Sequence, residues 1–223
     1  AATGHAVLWA GLTPLLCDVD PDTWSISADA EDALLRAHGD EIACLVPYAC
    51  FGNGIDLDRY ARIAEETGAG IVVDAAASLG SLDEAGRGFG TDFRHAIVYS
   101  MHATKTFATG EAGVIHCGDP ERLARLRTMG NFGFGRPREA TMPGLNSKLS
   151  EMGALLGLAK LREFADVVRH RETLADVYRR NLPGFRFQRV IGKRIAYQFV
   201  PVLLPENCRM SRPAIIEALA AEG

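Results

Sequence analysis

Lys105 stands alone in a polar loop of small residues, Met-His-Ala-Thr-Lys-Thr-Phe-Ala-Thr-Gly-Glu-Ala over 101–112, between two apolar runs of β type, Ala96–Ser100 and Gly113–Cys117. A loop leaving the C-terminal end of a parallel strand is where α/β sheets gather their chemistry. A lysine amine held there among small side chains can reach a carbonyl and condense with it. Upstream, residues 70–80 read Gly-Ile-Val-Val-Asp-Ala-Ala-Ala-Ser-Leu-Gly, a buried-type strand that ends on the carboxylate of Asp74. A strand-end acid followed by a strand-end lysine is the pair that pyridoxal 5'-phosphate requires. The amine forms a Schiff base with the cofactor aldehyde, and the carboxylate keeps the pyridine nitrogen protonated so that the ring accepts electrons released at a substrate carbon. Both groups must converge on one ring, and consecutive parallel strands deliver them from the same sheet edge.

The elements that position this pair alternate short apolar strands with amphipathic helices, the βαβ pattern of a mostly parallel sheet covered by helices. Residues 6–20 break at Thr13-Pro14 and then read as a short strand ending in acids, followed by turn chemistry at Pro21-Asp-Thr-Trp24. Ser27 is a candidate N-cap for a helix through His38, with Asp29 and Glu31 in its first turn and Gly39 as its stop. A buried strand is expected over Ile42–Tyr48. After the Phe51-Gly-Asn-Gly54 loop, Asp56 caps a helix whose Leu57, Tyr60, Ile63 and Ala64 share a face and which Gly68 closes. Asp119 opens a third helix, with Leu123, Leu126 and Met129 directed inward.

Residues 130–146 lose periodicity, and an excursion of that length is uncommon unless it serves a site or an interface. One long helix is expected from Ser150 to about Asn181, ended by Pro183-Gly184. A strand over Tyr197–Leu204 and a helix starting near Ser211 then begin a smaller α/β domain. The division falls within the long helix: 1–165 is the larger domain and 166–223 the start of the smaller one.

Three segments carry a resemblance. Tyr99-Ser-Met-His-Ala-Thr-Lys105 through Gly110-Glu-Ala-Gly113, Asp74-Ala-Ala-Ala-Ser-Leu-Gly80 and Gly144-Leu-Asn-Ser-Lys-Leu-Ser-Glu151 resemble the nucleotide-sugar aminotransferases of the DegT/StrS type. The likeness extends to Gly11-Leu-Thr-Pro-Leu-Leu-Cys-Asp-Val-Asp20 and the Phe51-Gly52 turn, and so runs through nearly the whole chain. It implies the large domain of fold-type I pyridoxal-phosphate enzymes and an aminotransferase that moves an amino group from glutamate to a nucleotide-linked keto-deoxysugar. It also implies a homodimer with a shared active site.

By the same resemblance Lys105 carries the cofactor and then shuttles a proton, while Asp74 holds the ring nitrogen. Ser100 anchors the phosphate, and Asn146 reaches the phosphate of the neighbouring subunit's cofactor. His102 either lines the pocket or packs beneath the loop. Gly110 and Gly113 let the backbone return close to the cofactor, and Glu111 orients the loop. Two positions depart from the pattern. Ala77 stands where relatives commonly carry Gln or His against the cofactor ring oxygen, and Ala112 replaces a glycine of the Gly-Glu-Gly-Gly run. The segment that supplies a helix N-terminus to the phosphate and an aromatic to the ring is expected ahead of Ala1.

Composition narrows the alternatives. With 48% hydrophobic and 23% charged residues the chain has apolar material for a sizeable core, and a net charge of −4 with scattered arginines gives no footprint for nucleic acid or an anionic membrane. Five cysteines, an odd number and none in a Cys-x-x-Cys pair, indicate neither a disulfide framework nor a zinc knuckle. No apolar stretch reaches spanning length and no signal peptide precedes the first strand, so the cytoplasm is the expected compartment. Within the fold, a sugar dehydratase is the rival enzyme, but there histidine replaces the lysine. A regulatory member without turnover is the rival from another class, and it predicts disabled chemistry where Lys105 and Asp74 are intact. A plain nucleotide-binding domain lacks support, because no Gly-x-Gly-x-x-Gly follows the early strands and no Walker sequence exists.

Overall fold

The computed structural model describes residues 1–223. Its central sheet has four strands in the order β1 (Cys44–Leu45), β2 (Gly70–Asp74), β3 (Ala96–Ser100) and β4 (Gly113–His116). The first three run parallel and β4 returns antiparallel to β3. Helices are α1 (Ala2–Trp9), α2 (Ala28–His38), α3 (Leu57–Thr67), α4 (Pro120–Met129), α5 (Glu151–Leu161), α6 (Phe164–Asn181) and α7 (Arg212–Glu222). This is the mostly parallel, helix-covered sheet that the alternating pattern predicts. No helix is long and apolar enough to cross a membrane.

Local chemistry accounts for the helix starts. Ser27, Asp56, Asp119, Ser150 and Ser211 each accept a first-turn N–H through the side chain. Gly68 closes α3 at φ 72°, the left-handed conformation that favours glycine. Packing follows from the register. Val72 pairs with Ala96 and Asp74 with Val98, so Ile71, Val73, Ile97 and Tyr99 fall on one face and Val72, Asp74, Val98 and Ser100 on the other. The first face is buried against Tyr60 and Ile63 of α3, with Phe89 and Phe93, and forms the main core. The second face is half-buried, and it carries the acid.

Several expected elements change. The strand over Ile42–Tyr48 reduces to Cys44–Leu45 because Pro47 has no N–H to give the ladder; beyond it only Tyr48 bridges Asp74. Residues 15–20 form no ladder and make a single bridge from Val19 to Ile26. The strand over Tyr197–Leu204 shrinks to β6 (Val202–Leu203), which pairs with β5 (Arg186–Phe187); Pro201 and Pro205 bracket it, and Tyr197 has a positive φ of 47°. On α4, Leu123 and Leu126 are half-buried and Met129 is exposed, so that helix lies on the rim of the core.

The long helix is in fact two. Arg162 and Glu163 donate to Ala159 and Lys160, three residues back, and this tightened turn swings Phe164 against the Phe107 ring at 4.8 Å. From there α6 buries Val168 beside Gly80 and Ala175 against Ile195 and Tyr197, a second, smaller core.

Two polar devices hold the periphery. Asn53 is fully buried: Nδ2 donates to the carbonyls of Thr23 and Arg189, and Oδ1 accepts from the N–H groups of Gly54 and Ile191, which ties residues 189–191 to the large sheet. The excursion over 130–146 folds onto itself through bridges Asn131–Asn146 and Phe134–Ala140. A Cβ on Gly133 would fall 1.8 Å from the Met142 carbonyl, so the close approach requires glycine there.

Candidate active site

β2 and β3 are parallel neighbours, so their C-terminal ends open on the same edge, and on the half-buried face that edge presents Asp74 and Ser100. The loop from β3 to β4 closes above it: Met101 N–H donates to Ala112 and Thr109 N–H to Met101. Lys105 lies in this loop. The topology therefore places a carboxylate and a hydroxyl at one rim of the sheet, with the Lys105 amine in the loop that leaves it.

The Asp74 carboxylate is held from two sides. Thr3 Oγ1 donates to Oδ2 at 2.6 Å, and Ala76 N–H donates to Oδ1 at 3.1 Å. Its backbone is fixed too, since Asp74 N–H donates to Pro47 and its carbonyl accepts from Ala49. Each carboxylate oxygen retains a free lone-pair site, so the group can still accept a hydrogen bond from a protonated ring nitrogen. Ser100 Oγ accepts from the N–H of His102 at 3.2 Å, which leaves its own proton available to an anion.

His102 spends both ring nitrogens inside the loop. Nδ1 accepts from the Thr104 N–H at 3.2 Å, which assigns the proton to Nε2; Nε2 lies 3.2 Å from Glu111 Oε1. The ring thus bridges Thr104 and Glu111 within the loop, with its side chain 42% exposed rather than packed beneath it. Ala77 is buried, and its carbonyl would lie 2.6 Å from a Cβ on Gly52, so it brings no side-chain donor to the rim. Asn146 is exposed on the excursion, and its Oδ1 is taken by Lys148. It makes no contact with Lys105 or Asp74 in its own chain.

Two contact residues escaped the sequence reading. Thr3 meets Asp74 across a separation that no local pattern encodes. Gln198 Oε1 accepts from Lys105 Nζ at 3.3 Å, and its Nε2 donates to the Thr104 carbonyl at 3.2 Å. Gln198 was detectable in principle, as the one polar side chain interrupting the apolar run from Ile195 to Leu204.

The donor set fits pyridoxal phosphate. A primary amine suits its aldehyde, a pinned carboxylate suits its ring nitrogen, and a hydroxyl with a free proton suits its phosphate.

Comparison with known proteins bears on this rim. The chain matches the DegT/DnrJ/EryC1/StrS aminotransferase family over residues 1–223. It is 29% identical over 222 residues to the dTDP-4-amino-4,6-dideoxy-D-glucose transaminase of Escherichia coli, covering 98% of this chain and 59% of that relative. Among solved structures, a DegT DnrJ EryC1 StrS aminotransferase from Brucella abortus superposes with a TM-score of 0.89 at 27% identity, over 100% of this chain and 60% of that one. DesI, solved in the presence of its TDP-sugar product, superposes with a TM-score of 0.84 at 33% identity, over 99% of this chain and 56% of that one. The chain thus spans under two thirds of the length of each of these relatives.

Proposed function

Because the chain belongs to the DegT/DnrJ/EryC1/StrS aminotransferase family, we propose that it carries the cofactor-binding rim of a pyridoxal-phosphate-dependent aminotransferase. The reaction it serves passes an amino group from glutamate to a nucleotide-linked keto-deoxysugar. The observation that supports this reading is that Asp74 and Ser100 end two adjacent parallel strands and that Lys105 lies in the loop leaving the second of them. The names of the relatives support the substrate class, one being a dTDP-aminosugar transaminase and another holding a TDP-sugar product.

When bound, the cofactor supplies an electron sink conjugated to the carbon that exchanges its amino group. The rest falls to side chains. Lys105 Nζ is the attachment point and, once free, the base that moves a proton at the substrate carbon. Asp74, held by Thr3 and Ala76, offers its oxygens to the ring nitrogen and keeps a proton there. Ser100 donates to phosphate. His102 and Glu111 brace the loop so that Lys105 stays over the rim. Asn146, exposed on the excursion, in this reading serves the phosphate of a second copy, which would make the site a property of a homodimer. In this reading residues 1–165 form the cofactor domain and 166–223 begin the smaller one.

The test is spectroscopic. Protein incubated with pyridoxal phosphate is expected to show a visible absorption band that disappears on addition of glutamate and returns with 2-oxoglutarate. A protein that takes up no cofactor contradicts the assignment; one that binds it and ignores glutamate contradicts the donor.

A further inference from the structure

The lysine loop is fastened to a segment far along the chain at three points. Lys105 Nζ donates to Gln198 Oε1 at 3.3 Å, Gln198 Nε2 donates to the Thr104 carbonyl at 3.2 Å, and Thr106 Oγ1 donates to the Ala196 carbonyl at 3.2 Å. The bond to Thr104 fixes the amide orientation. A flipped amide would set its NH2 against the lysine amine and its oxygen against a carbonyl oxygen, two repulsions in place of two bonds. Gln198 is thereby locked with its acceptor facing the amine. Ala196 is fully buried, and Ile195 and Tyr197 belong to the second core with Ala175 of α6, so the lock is anchored in that core rather than in the loop it grips.

We infer that Gln198 is a positioning residue that holds Lys105 only while its amine is free, so that the segment after residue 190 senses whether the lysine is covalently engaged. The inference rests on the proposed function and goes beyond it. When the neutral amine condenses with an aldehyde, nitrogen gives up both its hydrogens, the carbonyl oxygen leaves with them as water, and a C=N bond forms. A neutral linkage would have no N–H for Gln198, and a protonated one would keep a single N–H where the free amine has two or three. The aldehyde form of the cofactor therefore breaks the Lys105–Gln198 bond, whereas the amine form, which leaves the lysine free, keeps it. Gln198 would then stabilise the aminated state relative to the covalently loaded one.

The experiment compares equilibrium binding of pyridoxal phosphate and pyridoxamine phosphate to protein stripped of cofactor. For Gln198→Leu the ratio of dissociation constants, amine form over aldehyde form, is expected to rise about tenfold or more, the worth of one hydrogen bond from a charged amine. Gln198→Glu keeps an acceptor and adds a charge attractive to ammonium, so the ratio is expected to fall below that of the unsubstituted protein. Damage to folding weakens both forms together and leaves the ratio where it was. A ratio unchanged in both variants, or moved the same way in both, overturns the inference while the proposed function stands. Binding of neither cofactor form by the unsubstituted protein overturns both.

Discussion

Replacing Asn53 by Leu removes a buried clamp whose energetic weight can be worked from its four bonds. The side chain serves the carbonyls of Thr23 and Arg189 and the N–H groups of Gly54 and Ile191, and it is wholly inaccessible. Thr23 keeps a second donor, Gln188 Nε2 at 2.6 Å, so the substitution orphans three backbone groups: the Arg189 carbonyl and the Gly54 and Ile191 amides. The buried Gly54 amide left orphaned costs about 1–3 kcal/mol and the two part-buried groups about 1 kcal/mol each, while the added apolar burial of leucine returns about 1–2 kcal/mol, for a net loss of about 1–4 kcal/mol. Domains of this kind hold only about 5–15 kcal/mol in total, so the loss is large. With a urea slope of about 2 kcal/mol per molar, the unfolding midpoint should fall by about 0.5–2 M, and amide exchange at Ile191 should accelerate before that of the β2 and β3 amides. A midpoint lowered by less than about 0.5 M would refute the reasoning, because the orphaned groups would then have found other partners.

Thr3→Val removes the hydroxyl from Asp74 Oδ2 at nearly constant volume. It should weaken cofactor binding by about fivefold, read by equilibrium dialysis, with Thr3→Ser restoring it. Acid should loosen α4. The backbone N–H groups of Arg122 and Glu121 hold the Asp119 carboxyl below its ordinary value of 3.8, so the cap is at full strength above that pH and is lost as pH falls through the lower folded value. NMR titration of the Asp119 carboxyl alongside the α4 amides should show the two moving together.

What could be read from sequence was what local chemistry decides. The caps at Ser27, Asp56 and Asp119 act on neighbours two or three residues away, and the strand-end positions of Asp74 and Ser100 follow from apolar runs of fixed length. Element lengths failed where one residue overrode a propensity. Pro47 cut a strand that its apolar neighbours would have continued, and Phe164, drawn to Phe107, broke a helix whose periodicity gave no warning. The partners of the site were hidden for a different reason. Thr3 and Gln198 owe their positions to chain segments brought together by the whole fold, so their meeting with Asp74 and Lys105 depends on tertiary packing and on no spacing. Lys105 could be singled out as a candidate nucleophile; what holds it could not.

The central claim is that the amine of Lys105 and the carboxylate of Asp74 serve one cofactor ring. The most direct measurement is borohydride reduction of the protein incubated with pyridoxal phosphate, followed by mass mapping of the modified peptide. The account predicts a reduced phosphopyridoxyl group on Lys105, absent in Lys105→Ala and strongly diminished in Asp74→Ala. Labelling of another lysine, or labelling of Lys105 that is indifferent to Asp74, would contradict it.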